Sequence, residues 1–206
     1  MKVCIPAMPS EVLETDMNIA NKLTIARIAM IPVYVVFLML EITRYHFLIA
    51  TVVFILASIT DYLDGKLARK HQLVSDFGKF ADPVADKLLV LSAMICFVEL
   101  QMMPAWICII IMGREIAISG FRLVCAGKGT VIAASYLGKF KTVSQMAFII
   151  LSSVNFSYYL GETSPGFCNV IEIIRVIIMY LALVMTVISM IDYFYKNRQI
   201  FVDSLK

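Results

Sequence analysis

Residues 47–100 read FLIATVVFILASITDYLDGKLARKHQLVSDFGKFADPVADKLLVLSAMICFVEL. An apolar run from Phe47 to Leu63 leads into a connection crowded with charge, and a second apolar run follows from Pro83 to Leu100. Hydrocarbon about 30 Å thick needs roughly 20 helical residues to span it, fewer where polar ends reach the interface. Both runs therefore read as membrane-spanning helices, and the charged connection marks where the pair emerges into water.

The same reading extends along the chain. Further apolar segments run from Leu23 to Leu40, Pro104 to Cys125, Val143 to Leu160 and Val170 to Tyr195, separated by polar or turn-forming stretches such as Gly161 to Asn169. Of 206 residues, 61% are hydrophobic and 16% charged, with a mean hydropathy of +0.87. Apolar residues spread this evenly cannot all lie beneath one polar shell, so a water-soluble monomer is excluded and lipid is part of the solvent. The fold expected is an all-α polytopic membrane protein with about six transmembrane helices. Residues 1–16 carry Glu11, Glu14 and Asp16 and no long apolar run, so they read as a flexible tail ahead of a membrane domain over 17–206.

The net charge of +3 reads as topology, and no nucleic-acid partner is implied. Basic residues in short loops stay cytoplasmic. They cluster as Lys2, Lys22 and Arg27 near the start, Lys66, Arg69, Lys70, Lys79 and Lys87 around the second connection, Lys128, Lys139 and Lys141 around the fourth, and Lys196, Arg198 and Lys206 at the end. The other side has only Arg44 among its loop residues. Both termini and both long polar connections are thus expected to face the cytoplasm. Five cysteines with no CxxC pair, mostly within apolar stretches, indicate neither a disulfide framework nor a zinc site.

The Asp-rich connection between the first two runs is where chemistry is expected. Asp61 and Asp64 are three apart and Asp82 and Asp86 four apart, so on helices each pair projects from one face. Two such helix ends, opposed, gather four carboxylates around one point, where unneutralised charge repels strongly. Two divalent cations balance that charge, and hard oxygen donors suit Mg²⁺, Mn²⁺ or Ca²⁺. A two-metal site clamps a phosphoryl group. Gly65 and Gly78 leave room for a bulky phosphorylated ligand, and Arg69 suits a diphosphate. Taken one at a time, each Asp has the alternative of capping a helix or pairing with a nearby Lys or Arg. Asp76 falls outside the pattern, and His46 and His71 read as surface residues.

Asp61, Asp64, Gly65, Ala68, Arg69, Gly78, Asp82 and Asp86 form DxxDGxxAR, eight residues, then GxxxDxxxD, a pattern that resembles the CDP-alcohol phosphatidyltransferase family without departure. The resemblance implies metal-dependent transfer of a phosphatidyl group from a CDP-lipid to an alcohol, with release of CMP. Asp61, Asp64, Asp82 and Asp86 are then implied to hold two cations, Mg²⁺ or Mn²⁺, and Asp86 to take the proton of the attacking hydroxyl. Gly65, Ala68, Arg69 and Gly78 are implied to line the CDP site, with Ser75 as an addition and Thr24 contributed by the stretch NKLTIAR. Arg27 in that stretch has the alternative of anchoring the first helix at the interface.

The motif does not choose the alcohol. Arg114, Ile118 and Arg122 form an i, i+4, i+8 row in the fourth apolar segment, where a charge at the bilayer centre costs about 2.5 to 3.5 kcal/mol, so the two arginines should face a polar cavity. With Lys139 and Lys141 of the following connection they suit an acceptor that bears its own phosphate, Arg114, Arg122 and Lys139 above all. The stretch GREIAISGFRLVCAGKGTVIAASYLGKFKTVSQM resembles the members of the family whose acceptor is sn-glycerol 3-phosphate. Pairing of Arg114 with Glu115, and a purely topological Lys139, are the alternatives. Glu172 and Arg175 read as a pair three apart without a role in the reaction.

The resemblance further implies CDP-diacylglycerol as donor, a homodimer, and a bacterial cytoplasmic (inner) membrane with the active site facing the cytoplasm. It also points to Met17, which opens MNIANKLT, as an alternative start. Other acceptors (inositol phosphate, serine, phosphatidylglycerol), a membrane prenyltransferase and a cation transporter are the competing readings. The last two fit less well, because a prenyl diphosphate does not need the motif's Gly, Ala and Arg positions and a transporter site should sit near the midplane.

Overall fold

A computed structural model describes residues 19–71, 76–127 and 136–198, and among these every regular element is an α-helix. The helices are α1 (Ile19–Met39), α2 (His46–His71), α3 (Asp76–Glu99), α4 (Ala105–Gly127), α5 (Tyr136–Val154), α6 (Phe156–Leu160) and α7 (Pro165–Lys196). By length and composition one of them, α7, is long and apolar enough to cross a membrane; Thr24–Met39 and His46–Thr60 are shorter apolar helical stretches. The expected tail over 1–16 lies outside the described residues.

The helices outrun the apolar segments read from the sequence, and the reason is local. Past Thr60, α2 continues through Asp61 to His71, a stretch rich in Leu, Lys, Ala and Arg, all good helix formers. The 11 residues from Asp61 to His71 therefore carry the first half of the motif on one rod with the apolar part. The expected fifth segment, in contrast, is broken. Asn155 adopts φ 46° and ψ 65°, a left-handed conformation that Asn tolerates better than most residues, and the short α6 follows it. At the end of α3 another left-handed residue, Gln101 (φ 57°), closes the helix: Met102 N–H donates to Phe97 O and Gln101 N–H to Val98 O, the bonding of a Schellman cap.

Short turns make neighbouring helices antiparallel. Contacts among the turns place three of them at one end of the bundle. His46 Nδ1–H donates to Phe37 O at 3.1 Å and the His46 ring meets Tyr158, while Tyr45 stacks on Tyr159 at 6.4 Å. Arg175 Nε donates to Glu172 Oε2 at 2.9 Å, as the spacing of that pair predicts, and its Nη1 reaches Met102 O beyond α3. His46, read from the sequence as a surface residue, is 1% exposed: the chain turns back so tightly that the ring fills the joint between α1, α2 and α6.

Between the ends, α1 packs on α2 and α3, α5 on α7 and α2, and α4 on α7 and α3. Tyr34, Phe54, Phe97, Phe148, Ile107 and Ile111 fill the core, where Phe97 meets Phe148 edge-on at 5.7 Å and Tyr34 shares a 3.0 Å hydrogen bond with Ser153. Polar groups are buried beside them, Thr51, Gln145, Thr186 and Ser189 among them, whereas Val170, Ile173, Ile177, Val184 and Ile191 on α7 point outward and are exposed. Helical Thr and Ser bonds keep the buried hydroxyls satisfied, as with Thr186 to Ala182 O at 2.6 Å and Thr51 to Phe47 O at 2.8 Å. A bundle that is apolar outside and polar in places inside reverses the arrangement water demands.

Candidate functional site

The end of the bundle opposite those turns collects the motif. Asp61, Asp64, Gly65, Ala68 and Arg69 are carried by α2, and Gly78, Asp82 and Asp86 by α3, two helices in contact with each other. The helical backbone holds each Asp pair on one face of its helix. The side chains of these residues, and Ser75 entirely, lie outside the described residues. Among the described residues no group of three or more His, Cys, Asp or Glu is placed to hold a metal ion.

Beside the motif is a cavity of about 160 Å³ lined from four helices: Ser58 of α2, Lys87 of α3, Glu115 of α4, and Lys141, Thr142 and Gln145 of α5. Ser58 precedes Asp61 by one turn and Lys87 directly follows Asp86, so the cavity borders the motif on both of its helices. Lys141 is 2% exposed, and its ammonium is paired with the Glu115 carboxylate. Gln145, one turn further along α5, turns its amide to Met94 Sδ at 3.6 Å. A buried ammonium in so apolar a bundle persists because a carboxylate faces it; either charge alone in that place is strongly destabilising.

The arginine row on α4 faces α7. Arg114, at 9% exposure, donates from Nη2 to Ser189 Oγ at 3.0 Å and lies 3.6 Å from Glu115 through Nη1. Ile118 between the arginines is buried, and Arg122 sits over the Tyr193 ring at 5.4 Å. Arg114 Nε, Arg122 Nε and the Tyr193 hydroxyl are buried without a hydrogen-bond partner among the described residues. Both arginines turn toward α7, neither is among the residues that line the cavity, and the alternative approach of Arg114 to Glu115 is present. Lys139 is elsewhere: it is exposed, with its ammonium 5.3 Å from the Tyr136 ring, outside the cavity lining.

Thr24 and Arg27, one turn apart near the start of α1, are both buried, Arg27 to 1% exposure. That burial is the opposite of what an interfacial anchor for the first helix shows, because snorkelling keeps the charged head in water. Glu115, Ser58 and Gln145 were not singled out in the sequence as part of a site, whereas Lys141 was, with Lys139, as part of the basic cluster. A signal was present in α5, where Lys141, Ser144 and Gln145 make a polar stripe on a helix otherwise largely apolar, and the structure turns that stripe inward. Cys96, Cys108, Cys125 and Cys168 are free and buried, as expected of small apolar side chains.

Comparison with known proteins bears directly on this arrangement. The sequence profile described as CDP-alcohol phosphatidyltransferase matches residues 17–188. A Bacillus subtilis protein named CDP-diacylglycerol--glycerol-3-phosphate 3-phosphatidyltransferase is 41% identical over 192 residues, covering 87% of this chain and 95% of that one. Proteins of the same name from Haemophilus influenzae and Rickettsia felis are 38% and 36% identical, covering 92% of this chain in each case and 98% and 100% of their own lengths.

Proposed function

The chain belongs to the CDP-alcohol phosphatidyltransferase family, and from that premise we propose that it is an enzyme of phospholipid biosynthesis. It transfers the phosphatidyl group of CDP-diacylglycerol to sn-glycerol 3-phosphate, giving phosphatidylglycerophosphate and CMP. One observation carries the choice of acceptor: relatives at 36%, 38% and 41% identity, matched over nearly their whole lengths, bear the name of that reaction.

In this reading Asp61, Asp64, Asp82 and Asp86 hold two divalent cations, Mg²⁺ or Mn²⁺. Their fit rests on the donor set, four carboxylates whose hard oxygens and summed charge match two such ions. When bound, the ions screen the diphosphate charge and polarise the phosphorus under attack. Gly65, Ala68, Arg69, Ser75, Gly78 and Thr24 surround the CDP head group. Arg114 and Arg122 grip the acceptor phosphate, a role supported by the burial of Arg114 and by the buried, unpaired Nε–H of each, whereas Lys139, expected with them, is exposed beside Tyr136 and has no such support. The acceptor hydroxyl forms the new O–P bond to the phosphatidyl phosphorus, its proton passes to a carboxylate oxygen of Asp86, and the bond from that phosphorus to the bridging oxygen of CMP breaks.

The same proposal places the bundle across a bacterial inner membrane as about six spans, with both termini and the motif end facing the cytoplasm, and pairs two copies as a homodimer. The 23 residues of α4 extend roughly 35 Å, against hydrocarbon about 30 Å thick. Exposed aromatic residues mark both ends: Tyr45 and Trp106 near the short turns, Tyr136 and Tyr195 near the motif. A lipid donor then keeps its tails in the bilayer while its head group reaches the charged helix ends.

The test is an acceptor panel with purified protein, CDP-diacylglycerol and Mg²⁺, reading CMP release. Release is expected with sn-glycerol 3-phosphate and not with serine, inositol phosphate or phosphatidylglycerol. Comparable release with another alcohol overturns the acceptor, and no release with any of them overturns the transferase reading.

A further inference from the structure

Glu115 is the one described carboxylate that touches both halves of the site. Through Oε1 it is 3.6 Å from Arg114 Nη1 on its own helix, and it is paired with the Lys141 ammonium across on α5. Arg114 belongs to the row that faces Ser189 and Tyr193, whereas Lys141 and Glu115 line the cavity that borders the aspartate motif. The Glu115 side chain is 16% exposed and stands at the cavity wall, where a carboxylate is costly unless cations meet it.

A Lys side chain is long and has many rotamers, so an ammonium aimed into a cavity must be held there by something. Gln145 and Thr142 line the same wall, and Glu115 is the carboxylate of the cavity lining that pairs with Lys141. Resting on the transferase reading above, we propose that Glu115 is a positioning residue. It fixes Lys141 inside the cavity and Arg114 beside it, so that the two cations meet one phosphate ester, with Lys141 as a binding residue that contacts it. The ligand class is a phosphate ester anion, supplied either by the acceptor or by the diphosphate of the donor.

The experiment is steady-state CMP release by the full chain, wild type against Glu115→Gln, Glu115→Asp, Lys141→Met and Lys141→Arg, with both substrates titrated. Glu115→Gln and Lys141→Met are expected to raise the KM of one substrate about tenfold while kcat changes little, the loss of one charge-assisted contact. Glu115→Asp and Lys141→Arg are expected to recover most of it. A rise confined to sn-glycerol 3-phosphate assigns the ester to the acceptor; a rise confined to CDP-diacylglycerol assigns it to the donor. Unchanged KM values, a loss in kcat alone, or no recovery by the conservative variants overturns the positioning role. Glu115→Asp against Lys141→Arg decides the question where the neutral variants do not fold. Wild-type protein that releases no CMP sinks the underlying reading, whereas active wild type matched by Glu115→Gln sinks only this inference.

Discussion

Arg175 and Arg114 are both largely buried arginines of the same bundle, at opposite ends, and they are satisfied in opposite ways. Arg175 places Nε and Nη2 on Glu172 and Nη1 on the Met102 carbonyl, so its guanidinium is a closed joint between α7 and the turn after α3. Arg114 has one full hydrogen bond, to Ser189, a looser approach to Glu115, and a buried Nε–H with no partner among the described residues. Its neighbour Arg122 likewise has a buried Nε–H with no partner among the described residues, and lies over the Tyr193 ring. An unmet buried donor costs about 1–3 kcal/mol. A phosphate bound at the open end, as proposed, would give those donors their partner. On the proposed function, the difference separates a structural arginine from one with a donor left for an anion.

The comparison can be broken at several points. The largest effect is expected at the motif: Asp82→Asn should cut CMP release by about a hundredfold or more while the protein keeps its helical circular dichroism, since one carboxylate of the proposed metal set is lost. Turnover retained in the purified variant removes that set from the mechanism. Next, Arg122→Ala should raise the KM for sn-glycerol 3-phosphate about tenfold and leave that for CDP-diacylglycerol unchanged. An equal rise in both makes the row a structural feature like Arg175.

At the closed end the expectation reverses. Arg175→Ala should leave both KM values as they are and lower stability by about 1–3 kcal/mol, read as a lower midpoint of thermal unfolding in detergent, because Met102 O and Glu172 lose their donors. A KM change there erases the distinction between the ends. The smallest perturbation only reads sidedness: Lys139, exposed beside Tyr136, should react with a membrane-impermeant amine reagent from the cytoplasmic face of sealed vesicles and not from the other. Reaction from outside inverts the proposed topology.

Much of this was legible in the sequence. Apolar segments foretold helices because segment length and hydropathy are local properties, and the five helices α1, α2, α3, α4 and α7 fall where the segments do. The inward turn of Arg114 and Arg122 was legible as well, since two charges on an apolar helix must escape lipid. The break at Asn155 was not, because it depends on a single residue's backbone conformation within an apolar run. His46 was misread for a related reason: a polar residue at a turn is exposed unless the next helix returns over it, and here Tyr158 does.

Composition and spacing by themselves determined the class of molecule, the helical segments and the pairing of aspartates on two helix faces, all consequences of covalent order and helical periodicity. Which cations come together was decided only in three dimensions. Lys139 and Lys141 are two residues apart and chemically alike, yet the rotation of α5 against its neighbours exposes the first and buries the second against Glu115. Helix rotation is set by the packing of whole faces, in α5 by Phe148, Ile149, Ser152 and Ser153 on the buried side, and no residue's own identity contains it.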